Sequence, residues 1–148
     1  MKLLQSELEI QASSNRVWEV LCDFDAYSRW NPFIPYCEGQ LQVGAKLRLR
    51  MCSPGESGRS LHPTVLSAEP GRDLRWLQRL RLPGLFYHEH YFEIEPLGLK
   101  RSRFIQGIQF RGLFERFMVG ELSSTILGIQ LMNHALKYEA ELKPEPAR

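Results

Sequence analysis

Two histidines one residue apart, His88 and His90, are the chain's clearest candidates for chemistry. On an extended segment, side chains at i and i+2 share a face, with backbones roughly 7 Å apart. A His-x-His pair can hold zinc where a third ligand converges. Glu89 points to the opposite face, His62 and His134 belong to other segments, and no second motif of matching spacing occurs. No metal is therefore expected. A histidine on an apolar face can instead move protons near neutrality, since burial and neighbours retune its pKa. His88 or His90 would then be the general acid/base of a cyclase, dehydratase or isomerase. The plainer reading is a pair of hydrogen-bonded pocket histidines. The apolar faces around them offer no carboxylate to counter an imidazolium.

Other chemistries find less support. There is no GxSxG, and Cys22 lies among the apolar residues of a short helical segment, the setting of a structural thiol. Cys37 and Cys52 have no assigned histidine partner. Neither GxGxxG nor GxxxxGK[ST] occurs, so no nucleotide and no other cofactor is expected. The formal net charge of +2 is too mild for a nucleic-acid footprint. Arg72, Arg75, Arg79 and Arg81, the densest basic stretch, have the spacing of a strand pair's wet face. The 3 cysteines form no CxxC pair, and the first residues lack the apolar core of a signal peptide. Reduced thiols in a cytoplasm are the expectation. No apolar run approaches the ~20 residues that span a bilayer, so no stable membrane insertion is expected.

The elements that must position the histidines follow from periodicity. With 148 residues the chain fits one domain, read as residues 1–142 with a flexible tail at 143–148. Residues 3–11 alternate as a first strand. Ser13 or Ser14 caps a helix whose apolar face is Val17, Val20 and Leu21. A second short helix fits residues 25–30, capped by Asp23 or Asp25 and ended by Asn31-Pro32. Strands follow: 39–51 broken by a turn at 43–45, then 61–68, 73–80, 85–95 and 100–110. From Leu113 the period changes to three and four residues, predicting one amphipathic helix of about thirty residues, roughly 45 Å long. Gly120 and Gly128 inside it predict close packing on the sheet or thinning over a cavity. Short turns between strands make an antiparallel sheet, and the helix stripe must be buried against it. The fold class is α+β: a curved antiparallel sheet wrapped around a long C-terminal helix, with two short helices after the first strand.

Alternation then assigns the inward faces. On the histidine strand they are Phe86, His88, His90, Phe92 and Ile94. On the next strand they are Phe104, Gln106, Ile108 and Phe110. Leu47, Leu49 and Met51 alternate with Lys46, Arg48 and Arg50, and Val65, Leu74 and Trp76 also turn inward. The helix contributes Phe117, Met118, Leu122 and Ile126. Such an inventory, apolar and aromatic with His88, His90 and Gln106 as its polar groups, is that of a pocket for a hydrophobic ligand.

Several phrases carry a family resemblance: ASSNRVWEVL (12–21), DFDAYSRWNPF (23–33), VGAKL (43–47), PTVL (63–66), EPGRDLRW (69–76) and HYFEIEP (90–96). With the order of elements, they resemble the START-like superfamily, also called SRPBCC, and within it the polyketide cyclase/dehydrase-like branch of small bacterial proteins. The likeness spans residues 3–142 and is specific for fold, chiefly through W-x-x-L and F-x-x-Y-x-x-W-N-P-F. It implies a helix-grip fold with a hollow between the sheet and the last helix. It also implies that the Trp-Asn-Pro-Phe corner enters the sheet at one end of that hollow. Trp30 and Phe33 would be its wall, or plug the core, and Asn31 would tie the turn.

The resulting expectation is a binder of a hydrophobic small molecule, such as a lipid, polyketide or isoprenoid-like compound. The walls supply affinity while His88, His90 and Gln106 orient the ligand. The enzymatic alternative acts on a polyketide-like substrate. A third alternative is a protein-interaction module using the basic strand face of Arg48 and Arg50.

Overall fold

The computed structural model describes residues 2–79, 86–112 and 119–142. The expected tail at 143–148 lies outside them. Strand β1 (Lys2–Ile10) leads into helix α1 (Ser14–Cys22). Ser13 is the cap: its Oγ accepts from the Arg16 N–H at 3.1 Å, and Val17, Val20 and Leu21 turn to the core. A 3-10 turn (Phe24–Ala26) and a one-turn helix α2 (Tyr27–Trp30) follow. No aspartate side chain caps either one, contrary to the expectation for Asp23 or Asp25. The Tyr27 hydroxyl donates to the Leu21 carbonyl and ties this turn to α1 instead. Asn31 ends α2, and its Oδ1 accepts from the N–H groups of Phe33 (3.0 Å) and Ile34 (2.9 Å). The proline corner is thus held by a buried side chain that imitates a turn.

Strands β2 (Tyr36–Glu38), β3 (Arg48–Met51) and β4 (Arg59–Leu61) form one antiparallel sheet. Strands β5 (Thr64–Glu69), β6 (Asp73–Arg79), β7 (Phe86–Gly98) and β8 (Arg101–Gly112) join β1 in the order β1-β8-β7-β6-β5. Two sequence expectations need correcting. Residues 39–45 are a connection rather than a strand, since Gly39 takes φ +132° and turns the chain away from the ladder. The strand expected at 61–68 is two strands that belong to different sheets. Pro63 has no N–H to extend a ladder, so the chain changes sheet there. The sheets stay joined, because Gly44 and Leu47 donate to the carbonyls of Val65 and Pro63, each at 2.9 Å. The combined surface curves round helix α3 (Val119–Leu142).

Helix α3 runs along β1, the end strand of the larger sheet. Lys137 Nζ donates to the Glu9 carbonyl at 2.9 Å, Asn133 Nδ2 to the Ser6 carbonyl at 3.3 Å, and the Gln11 N–H to Glu141 at 2.7 Å. An open strand edge is thereby occupied by helix side chains. Gly128 accounts for one of the two helix glycines. A Cβ there would lie 2.4 Å from the Phe33 ring, so glycine lets that ring pack directly against the helix. Among the described residues, no helix is long and apolar enough to cross a membrane.

Candidate functional site

The pleat of β7 and β8 delivers alternate side chains to the concave face, as their period of two requires. His88, His90, Phe92 and Ile94 are buried there, as are Phe104, Gln106, Ile108 and Phe110. Leu47, Leu49, Met51, Val65, Leu74, Trp76 and Leu122 are buried with them, and Ile126 is half-buried against the same core. Phe117, Met118 and the side chain of Phe86 lie outside the described residues. The convex face holds an exception to the alternation. Tyr91 points outward yet is buried, because its ring covers Gly107 and lies beneath the Arg75 guanidinium, 4.9 Å from the ring centre. Arg75 itself is held by Asp73, Glu89 and Glu93, and Arg79 lies over the Tyr87 ring at 5.7 Å, so these two stand on the outward face of β6, whereas Arg72 belongs to the turn before it and Arg81 lies outside the described residues.

The Trp-Asn-Pro-Phe corner divides its two rings. Phe33 enters the grip, fully buried between Gly128 and His90 (6.0 Å between ring centres). Trp30 packs edge-on to Tyr27 and lines an outer cleft of about 260 Å³ with Arg16, Asp23, Arg29 and Glu139. Of the two rings, Phe33 alone lies inside the grip, where it plugs the core between sheet and helix. Asn31 is the cause: it ends α2 between them and turns the following chain inward.

His90 sits in a closed aromatic cluster. It stacks on Phe92 (4.6 Å between centres, 24° between planes) and meets Trp76 edge-on at 5.2 Å. Its Nε2 lies 2.8 Å from Gln106 Oε1, Gln106 Nε2 donates to Asn133 Oδ1 at 2.7 Å, and Asn133 Nδ2 donates to the Ser6 carbonyl. This chain fixes the tautomer. A backbone carbonyl only accepts, so Asn133 must present its amide N–H there and its oxygen to Gln106. Gln106 Oε1 then accepts, and His90 must carry its proton on Nε2. Burial pushes the His90 pKa down to about 3, against a smaller rise from the Gln106 hydrogen bond. His90 is thus a neutral core histidine, wired through Gln106 and α3 to β1. Asn133 was missed as a member of this group, although a lone amide among the apolar steps of the helix signals a buried partner.

His88 is different. Its ring meets Phe110 edge-on at 5.7 Å, and its buried Nε2 has no hydrogen-bond partner among the described residues. Burial, and then the Arg59 guanidinium, lower its pKa to about 4. His88 and Phe110 are register partners near the start of β7 and the end of β8. The first turns of α3 belong to the same end, where Ser124 donates to Glu56 of the β3–β4 connection at 2.9 Å. At pH 7 both imidazoles are neutral, and groups with such low values are weak bases.

The remaining groups are occupied or inert. Cys22 and Cys37 are pushed up to about 12 by burial, so neither is a thiolate. Among the described residues no three His, Cys, Asp or Glu side chains are grouped to hold a metal ion. Of the basic strand face, Arg48 pairs with Glu38 at 3.0 Å and Arg50 donates to the Ser57 carbonyl at 2.7 Å.

Known proteins share this architecture. The sequence matches the family model described as polyketide cyclase/dehydrase and lipid transport over residues 1–141. Zhui aromatase/cyclase from a Streptomyces species is 17% identical with a TM-score of 0.71, covering 94% of this chain and 93% of that one. A START superfamily protein from Mycobacterium smegmatis is 20% identical with a TM-score of 0.70, covering 93% and 96%. Truncated norcoclaurine synthase from Thalictrum flavum is 15% identical with a TM-score of 0.72, covering 97% and 95%. At such identities the likeness is one of fold. No curated protein matches the chain.

Proposed function

We infer that this chain, which belongs to the polyketide cyclase/dehydrase and lipid transport family of the START-like superfamily, binds a hydrophobic small molecule between its sheet and α3. The observation that carries the reading is the Nε2 of buried His88, which lies beside Phe110 and has no partner among the described residues. A buried polar atom without a partner costs about 1–3 kcal/mol, and a ligand hydroxyl or carbonyl arriving there recovers it. The apolar side chains of the concave face supply the rest. The closed cluster of Phe33, Trp76, His90 and Phe92 occupies the middle of the grip, which favours the His88 end as the place of the ligand. Burying ~300 Å² of apolar ligand surface gives roughly 7 kcal/mol gross. Association costs bring the expected affinity to the micromolar range.

The ligand class is an apolar molecule with one hydrogen-bonding oxygen, as in a lipid, polyketide or isoprenoid-like alcohol. Native mass spectrometry of the protein purified from bacteria, with thermal shifts against fatty acids, phenolic polyketide analogues and isoprenoid alcohols, tests the reading. At least one class is expected to co-purify or to raise Tm by several degrees. His88→Leu should keep the free protein at least as stable and weaken oxygen-bearing ligands roughly tenfold, while hydrocarbons bind as before. No stabilising compound and no co-purified mass would end the proposal.

A further inference from the structure

We propose that the outward face of α3 is a self-association surface, on which a second copy of this chain packs its own α3 antiparallel about a two-fold axis between residues 134 and 135. The helix is apolar on both sides. Leu122, Ile129, Met132 and Leu136 face the sheet, whereas Leu127, Leu131, Tyr138 and Leu142 are 46%, 44%, 64% and 60% exposed. With His134 between them, those outward residues fall within an arc of about 80° at about 100° per residue. Among the described residues of α3, no Asp, Glu, Lys or Arg lies on this arc. Lys137 and Glu141 flank it, paired with each other and hydrogen-bonded to the backbone of Glu9 and Gln11. A helix with a second apolar stripe on its outer side still has apolar surface to bury, and this one has only one stripe inside.

The spacing selects the occupant. Leu127 and Leu142 lie equally far from the midpoint of residues 134 and 135, about 11 Å each way at 1.5 Å per residue. Leu131 and Tyr138 are likewise equidistant, about 5 Å each way. An antiparallel copy therefore sets Leu127 level with the partner's Leu142, and Leu131 level with the partner's Tyr138. Such self-complementarity is what an isologous contact requires. A membrane-surface helix would instead carry a row of lysines and arginines beside its apolar stripe, whereas the flanking Lys137 is single and paired with Glu141. The exposed side chains amount to roughly 400 Å² of apolar surface per copy, taking each as near 200 Å² when free. With the flanking polar groups, the contact buries about 1,000 Å² in total, the lower edge of specific interfaces. The expected dimer is weak, on the order of 10–100 μM.

Sedimentation velocity of the full chain from about 5 to 500 μM tests this. The mean mass should rise toward twice the monomer, and Leu131→Glu with Tyr138→Glu should hold it at the monomer while circular dichroism stays unchanged. His134→Cys, beside the axis, should form a covalent dimer under mild oxidation, whereas Ser123→Cys, far from the axis, and the wild type should not. A monomer at every concentration would overturn the proposal. So would a dimer indifferent to the two glutamates, or loss of anionic-vesicle binding in that variant without any self-association in the wild type.

Discussion

Acid should destabilise this fold well before its carboxylates titrate, because His88 and His90 are buried neutral. An unfolded histidine has a pKa near 6.5, whereas here the values are about 4 and about 3. The sign follows from proton counting. Below pH 6.5 the unfolded chain takes up protons that the folded chain refuses, so stability falls with pH until the folded values are reached. At pH 5 the unfolded imidazole is almost wholly protonated and both folded ones almost wholly neutral. Each histidine therefore removes about 2 kcal/mol between pH 7 and pH 5, and the pair about 4 kcal/mol. The figure at pH 5 hardly depends on whether the folded value is 4 or 3, since either lies well below it. Urea denaturation of the wild type at both pH values measures the loss. His88→Gln and His90→Gln should each cut the difference by about half, and the glutamine at 90 can still donate to Gln106. A wild-type difference under about 1 kcal/mol, or variants with undiminished pH dependence, would show that the imidazoles are not held neutral in the folded protein.

Two further outcomes test the packing. Gly128→Ala gains up to about 1 kcal/mol of helix propensity but drives a methyl into the Phe33 ring, which Asn31 and His90 hold in place. A net loss of about 1–3 kcal/mol is expected in thermal denaturation, and a stabilised variant would mean that the ring moves freely. Asn133→Leu strips the Gln106 amide and the Ser6 carbonyl of their partner. It should cost about 2–4 kcal/mol in chemical denaturation and expose the β1 amides to faster hydrogen exchange, and equal exchange would remove the link from His90 to β1.

Local patterns carried much of this architecture. The alternation of β7 and β8 assigns His88, His90, Gln106 and Phe110 to one face because a strand's period of two is a property of the backbone alone. The Ser13 cap, the apolar steps of α1 and α3, and the turn made by Asn31 are equally local, for each depends on residues within four positions. Pro63 lacks the N–H a ladder needs, yet alternation alone ran one strand through 61–68, because the change of sheet there depends on which strands lie beside it. The division of Trp30 from Phe33, the burial of outward Tyr91 over Gly107, and the use of Gly128 as a seat for a ring needed the folded chain. So did the contrast between the histidines, one hydrogen-bonded through Gln106 to Asn133, the other beside Phe110 with no partner for its Nε2 among the described residues. Alternation gives both the same address. Their partners come from elements up to 127 residues apart in the chain, and a partner at that distance is chosen by packing, which no local period records.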